Sequence, residues 1–356
     1  MAHKAHASDI HLKEGKVPSL RIAGKIKKVE QAPLNEEDFD RILRTITKKE
    51  VLENIRLASN LDFSYEIPGL SRYRVNYCKD LGAPKLTLRA VPYDIPDLLT
   101  IGLPKYLEEL VQFNNGIILV TGPTGSGKST TLAAMINLIN NYQRKHIITI
   151  EDPVEYIYTD NKSLITQRGL GTDTETFASG VKYALRQDPD VILVGEIRDK
   201  KTLESAIEAA ETGHLVFSTL HTNSSIQTLN RIVGFFEDSQ AELIMQRVIN
   251  TLRATISQKL LPKIGGGVVP AVEIMSVTPA VQDYLAKNNF EDIYLLMQKS
   301  KTQELTTMNT SIYSHLQHGL ISQEVALQYS DHRTELQQMI RGIYHGTQSI
   351  TRDDII

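Results

Sequence analysis

Residues Gly122-Pro123-Thr124-Gly125-Ser126-Gly127-Lys128-Ser129, followed by Thr130, complete the pattern G-x-x-x-x-G-K-[ST]. This motif constrains the fold because it works in one setting only, a loop between a buried strand and the first turn of a helix. Both neighbours are present. Ile117–Val120 is an apolar, β-rich run, and Leu132, Met135, Ile136 and Ile139 recur at i, i+3, i+4 and i+7. In such a loop the glycines let backbone N–H groups turn toward phosphate oxygens, and the helix end adds partial positive charge. The motif therefore predicts ATP with Mg²⁺. Lys128 is expected to reach the β- and γ-phosphates, and the Ser129 hydroxyl to ligate the metal.

Three more short apolar runs, Ile147–Ile150, Val191–Val194 and Leu215–Ser218, alternate with helical patterns. Near-continuous Val, Ile and Leu is what a parallel strand covered on both faces requires, so the fold class is α/β. In an open parallel sheet, ligands sit beyond the carboxyl ends of the strands. There Ile147–Ile150 runs into Glu151-Asp152-Pro153-Val154-Glu155, and Val191–Val194 into Gly195-Glu196-Ile197-Arg198-Asp199. Triphosphate hydrolysis needs a carboxylate near the metal and a group that orients or deprotonates water. Glu196 is expected in the first role, which makes Ser129 and Glu196 the metal-side pair. Glu155 is the first choice for the second role and Glu151 the other. His214 and His221 flank Leu215–Ser218 and are expected to bracket one end of the sheet. They read either as a satisfied structural pair or as a sensor of the γ-phosphate.

The region before residue 92 has a different pattern. Leu61, Phe63, Tyr65 and Ile67 alternate with polar residues, as do Tyr73, Val75 and Tyr77 on the next run, each predicting a half-buried strand. In a shared sheet, Arg72, Arg74 and Arg89 would crowd one face. The stretch from Glu36 to Arg56 has helical spacing at Phe39, Ile42, Leu43 and Ile46. Pro92, Asp94, Pro96 and Asp97 mark a stiff connection. The expected organisation is an N-terminal domain over 1–91, a linker over 92–98, an ATPase core over 99–263 and a mostly helical region over 264–356.

Composition narrows the class further. A net charge of -3 from 39 basic and 42 acidic residues argues against a protein that coats nucleic acid. Cys78 is the only cysteine, which excludes a disulfide framework and a four-cysteine zinc module. No apolar run approaches the length of a membrane span, and Met1 to Asp9 lacks the core of a secretory signal.

Taken in order, GPTGSGKSTT, IEDPVEY, DPDVILVGEIRD and ETGHLVFSTLHTN resemble the secretion and type IV pilus ATPases. SDIHL (Ser8 to Leu12) and SRYRVN (Ser71 to Asn76) resemble that family's PAS-like N-terminal domain. The retraction branch is the nearest match. The chain begins almost at the PAS-like domain, has no zinc module, and resembles that branch around Leu305–Asn309 and Gly319–Ser322. Where that branch usually has AIRNLIRE, this chain has Ala280-Val281-Gln282-Asp283-Tyr284-Leu285-Ala286-Lys287.

The resemblance implies a PAS-like domain, a short linker, a RecA-like P-loop domain and a helical C-terminal part. It implies a homohexameric ATPase at the inner face of the cytoplasmic membrane that powers pilus retraction through a membrane platform protein. Glu196 carries over as the Walker B glutamate, Glu155 as the acidic-box glutamate and His214 with His221 as the histidine box. Arg74 and Arg89 carry over as nucleotide-facing residues. The alternatives are an extension or type II secretion ATPase, a nucleic-acid translocase, and a regulatory ring that binds ATP without doing work.

Overall fold

The computed structural model describes residues 2–5, 7–22, 24–47, 52, 55, 58–67, 70–91 and 94–343. Pro68-Gly69, Pro92 and the polar tail from Gly346 lie outside the described residues, as does most of the expected helix beyond Thr47. The chain divides into two compact units, residues 1–94 with 155–157, and residues 95–154 with 158–356.

The first unit runs β1 (Asp9–Lys13), β2 (Ser19–Ile22), β3 (Lys25–Lys28), α1 (Glu36–Ile46), β4 (Asn60–Ile67), β5 (Ser71–Asp80) and β6 (Ala83–Val91). These strands form an antiparallel sheet in the order β3-β2-β1-β6-β5-β4. Asn35 starts α1 with a capping box to Asp38, and the helix buries Phe39 and Leu43. Those side chains pack with Tyr73, Val75, Tyr77, Leu86 and Leu88 from one face of the sheet. The opposite face holds the arginines. Arg74 lies directly across from Arg89, and Arg72 is two residues from Arg74 on the same face.

Asp9 ties that face together. It pairs in register with Arg89 on one side and Arg21 on the other. Its carboxylate is 4% exposed and accepts from Arg89 Nε at 2.9 Å and Ser8 Oγ at 2.9 Å. Burial alone raises the Asp9 pKa, but the hydrogen bonds from Arg89 and Ser8 outweigh it and hold the carboxyl below the ordinary value of 3.8.

The second unit opens with α2 (Leu107–Leu110), β7 (Gly116–Thr121), α3 (Lys128–Tyr142), β8 (His146–Glu151), β9 (Leu164–Gly169) and α4 (Phe177–Ala184). It continues with β10 (Val191–Val194), α5 (Lys200–Glu211), β11 (Leu215–Leu220), α6 (Ser225–Val233), α7 (Asp238–Thr251), β12 (Leu252–Pro262) and β13 (Val268–Ser276). It ends with α8 (Pro279–Ala286), α9 (Phe290–Lys299), β14 (Leu305–Thr306), α10 (Met308–Gln317), α11 (Gln323–Tyr329) and α12 (Arg333–Ile340). The sheet order is β14-β13-β12-β7-β11-β10-β8-β9. Pairing is parallel from β12 through β9 and antiparallel among β12, β13 and β14. The fold is α/β with mixed sheets, and among the described residues no helix is long and apolar enough to cross a membrane.

All four strands expected from the sequence are present, and their residues alternate between two cores. Ile117, Leu119, Ile148, Ile150, Val194 and Val216 face α4, α5 and α7. Ile118, Val120, Ile147, Leu193 and Phe217 face α3, where the predicted Leu132, Met135, Ile136 and Ile139 are buried. The change of pattern at Gly265-Gly266-Gly267 is a hairpin tip. β13 returns beside β12 in register from Pro262↔Val268 to Ala254↔Ser276. At the middle of β13, Glu273 is 3% exposed, and its Oε1 accepts the Ser225 amide at 2.7 Å. That amide is the first of α6, so the carboxyl sits at the start of this helix. Burial pushes its pKa up, against the hydrogen bond from the Ser225 amide.

Asp9→Asn keeps the size of the side chain and removes the charge that Arg89 binds. We expect urea unfolding of the N-terminal unit to show a loss of about 1.5–3 kcal/mol, the range for hydrogen bonds to charged groups. A depressed carboxyl contributes fully above its unfolded pKa and less as pH falls through the folded value. The deficit should therefore hold constant from neutral pH to about pH 4 and shrink in stronger acid.

Candidate nucleotide site

The phosphate loop leaves β7 and enters α3 as the sequence requires. Gly127 is the N-cap of α3, with φ +89° and no side-chain cap, so no side chain covers the end of the helix that meets the loop. At Gly122 (φ +143°) a Cβ would lie 2.4 Å from the Gln258 carbonyl and 2.6 Å from Ser126 Oγ, so only glycine fits. Lys128 is buried, and its Nζ donates to the carbonyls of Gly122 at 2.8 Å and Pro123 at 3.0 Å. The ammonium is thus held over the mouth of the loop. Ser126 Oγ is buried with no protein partner among the described residues. Ser129 and Thr130 follow on the first turn, half-buried. These features suit a phosphate chain: a helix end without a side-chain cap, a fixed cation and a hydroxyl for a metal. An open cleft of about 410 Å³ extends from Pro123, Thr124 and Gly125 to Tyr329 and Asp331.

β11 lies between β7 and β10, so Glu196 stands one strand beyond the loop at the same end of the sheet. Main-chain bonds fix the turn that presents it. Gly195 N donates to the Ile150 carbonyl at 2.8 Å and Ile197 N to the Thr219 carbonyl at 3.0 Å. Thr219 Oγ1 also donates to the Gly195 carbonyl at 2.7 Å. The two Glu196 oxygens are held separately, Oε1 by His221 Nε2 at 3.1 Å and Oε2 by Arg198 Nε at 2.8 Å. Arg198 in turn lies 3.6 Å from Asp152. The carboxylate is oriented from both sides by charge-assisted bonds while half-buried.

Residues 1–327 match the family described as "Type II/IV secretion system protein". The type IV pilus retraction ATPase PilT of Pseudomonas aeruginosa is 38% identical over 323 residues, 91% of this chain and 94% of that protein. A twitching motility protein of Neisseria gonorrhoeae is 39% identical over 310 residues, 87% of this chain and 83% of that one. A crystal structure of the pilus retraction motor PilT with bound ADP is 43% identical and superposes with a TM-score of 0.90, covering 95% of this chain and 97% of that one. The chain is a PilT-like member of the type II/IV secretion system family.

Within this member, the other expected residues divide. His221 joins Glu196, but His214 does not. His214 precedes β11 and His221 follows it, so the strand carries them to opposite edges of the sheet, roughly 20 Å apart at about 3.3 Å per residue. There His214 Nδ1 lies 2.9 Å from the Ala209 carbonyl and 3.2 Å from Thr212 Oγ1. The expectation that both histidines bracket one end counted residues and ignored strand direction. Glu151, the second choice in the acidic box, is buried and accepts from Thr149 Oγ1 at 2.7 Å. Glu155 is exposed and belongs with the first compact unit. Arg89 is committed to Asp9, whereas Arg74 is exposed with no salt-bridge partner among the described residues.

Sequence reasoning missed two groups. Arg198 was in view as part of the Glu196 segment, and its (i, i+2) spacing in an extended turn was a readable signal that both side chains point one way. Gln258 had no such signal. It stands in a strand that was not identified, 136 residues after Gly122, yet touches both ends of the phosphate loop.

His221→Ala removes one of the two holds on Glu196. Turnover of ATP is expected to fall about a hundredfold, the scale for a misplaced catalytic group, with nucleotide affinity little changed. Steady-state hydrolysis and fluorescent-ADP titration on the same preparation check both halves.

Proposed function

We propose that this chain is an ATPase motor that powers retraction of a type IV pilus. The observation that supports it most is Glu196, fixed between His221 and Arg198 beside a complete phosphate loop, in a chain that matches PilT proteins over nine-tenths of its length. The loop from Gly122 to Thr130 binds the phosphates through its amides and Lys128, and Ser129 with Glu196 forms the metal side. Bound Mg²⁺ supplies charge neutralisation on the phosphate oxygens. Glu155 deprotonates the attacking water, and His221 holds Glu196 in register. Arg74 and Arg89 are the nucleotide-facing arginines that the family resemblance implies. His214 is left out of this site, because it lies at the other end of β11.

The finer architecture belongs to the same proposal. It comprises a PAS-like domain over 1–91, a linker over 92–98, a RecA-like core over 99–263 and a helical part over 264–356. The subunits assemble as a homohexamer on a platform protein at the cytoplasmic face of the inner membrane. The altered AIRNLIRE-like segment keeps its helix but not the motif's Arg and Glu charges. Val281 and Leu285 are the buried positions of α8, while the exposed Asp283 pairs with Lys287 one turn on at 3.0 Å.

Deleting the gene should leave cells heavily piliated and unable to twitch, and a Glu196→Ala allele should not restore movement. Purified Glu196→Ala is expected to bind nucleotide and to lose turnover by at least about a hundredfold. Bald cells would place the protein in extension instead. ATPase activity stimulated by DNA or RNA, with steep salt dependence, would make it a translocase.

A further inference from the structure

We propose that Gln258 is a positioning residue that holds the phosphate loop in its phosphate-binding form. This rests on the nucleotide-binding reading above and adds a residue to it. β12 runs parallel to β7 with Ser257 opposite Thr121, and the two hydroxyls lie 2.8 Å apart. The next residue, Gln258, therefore arrives alongside Gly122, where the loop begins. Its side chain is 3% exposed and both ends of its amide are used. Nε2 donates to the Ser126 carbonyl at 2.8 Å, and Oε1 accepts from Thr131 Oγ1 at 2.7 Å. One amide thus joins the last turn of the loop to the first turn of α3.

The bond to Ser126 has a directional consequence. In a planar trans peptide the C=O and the following N–H point opposite ways. Drawing the Ser126 carbonyl toward β12 turns the Gly127 N–H away from β12, toward the concave side where phosphate binds. A carbonyl released from Gln258 is free to rotate inward and present an acceptor to an anion. Gly127 belongs to the same arrangement, since a Cβ there would stand 2.7 Å from Gln258 Nε2. The amide also explains why the residue is neutral. A glutamate at this position would keep the acceptor for Thr131, lose the donor for Ser126, and add negative charge beside the phosphates.

The test uses the full chain, fluorescent ADP with Mg²⁺, steady-state ATP hydrolysis and melting without nucleotide. Gln258→Met, near in size and unable to hydrogen-bond, is expected to weaken ADP about tenfold, the scale of one net hydrogen bond. KM should rise in step, kcat should change by less than about threefold, and Tm should move by only a few degrees. Gln258→Glu should bind more weakly than Gln258→Met. Thr131→Val should lose several-fold in affinity, Thr131→Ser should keep it, and Gln258→Met with Thr131→Val should be less than additive. Unchanged ADP affinity in Gln258→Met overturns the proposal. So does Gln258→Glu binding as well as the parent, or an affinity loss that only follows a collapse in Tm. Parent protein that binds ADP but turns over no ATP would sink the motor reading instead, while the ADP titrations still report on Gln258.

Discussion

Parallel pairing around β7 is the constraint on which the site depends. β7 delivers the phosphate loop, and its two neighbours deliver what the loop needs. On one side β11 spaces β10 away, so that Glu196 is presented one strand further on and His221 emerges between them. On the other side β12 brings Ser257 against Thr121 and Gln258 against the loop itself. Each ladder is a row of buried backbone bonds, so a slip of one residue on either side would turn the functional side chains to the opposite face. The positions of Glu196, His221 and Gln258 are therefore consequences of register.

The same logic explains which residues could be read from the chain. Ile117–Val120, Ile147–Ile150, Val191–Val194 and Leu215–Ser218 are covered on both faces and carry almost no polar atoms, so an apolar run marks them. β12 and β13 are buried as deeply but include Thr255, Ser257, Gln258, Pro270 and Glu273. Pro270 and Glu273 ordinarily argue against a central strand, and Ser257 and Gln258 against a buried one. Here each polar group has work near a neighbour that is remote in sequence: Ser257 with Thr121, Gln258 with Ser126 and Thr131, Glu273 with Ser225. Thr255 Oγ1 is the exception, buried without a protein partner among the described residues. Local pattern cannot show partners that lie 48 to 136 positions away. His214 failed for a related reason, because spacing along a strand gives distance without saying which edge of the sheet is reached.

In the N-terminal unit the sequence pattern was sufficient for the faces and silent about their pairing. Alternation in β4 and β5 separated apolar sides from polar and charged ones, and the register then set Arg74 across from Arg89. Alternation did not show that Asp9 would lie beside Arg89, because β1 reaches β6 only through the return of the chain. Like charges opposed across a ladder are unfavourable, and a buried carboxylate within hydrogen-bond reach offsets that cost while fixing one guanidinium. Arg74 and Arg89 are therefore inequivalent. One is anchored and the other is left exposed.

Glu273 connects the catalytic edge to the C-terminal helices in a way that the individual elements do not suggest. The segment after β11 carries His221, then Thr222, whose hydroxyl meets Thr228 at 2.7 Å, then Ser224 as the N-cap of α6. The first amide of that helix ends on Glu273 of β13, and β13 holds α10 through the Val272 amide on Ser311 Oγ at 3.0 Å and the Pro270 carbonyl beside His315 Nε2 at 2.8 Å. A buried carboxyl that loses this donor keeps its desolvation penalty without compensation, so the start of α6 cannot withdraw cheaply from it. A displacement of the His221 segment must therefore either carry β13, and α10 bonded to it, or leave a buried acceptor unpaired. Sub-ångström shifts at one site become larger rearrangements elsewhere when packed interiors have few tolerable arrangements, and this carboxyl supplies such a restriction between the histidine beside Glu196 and the C-terminal helices.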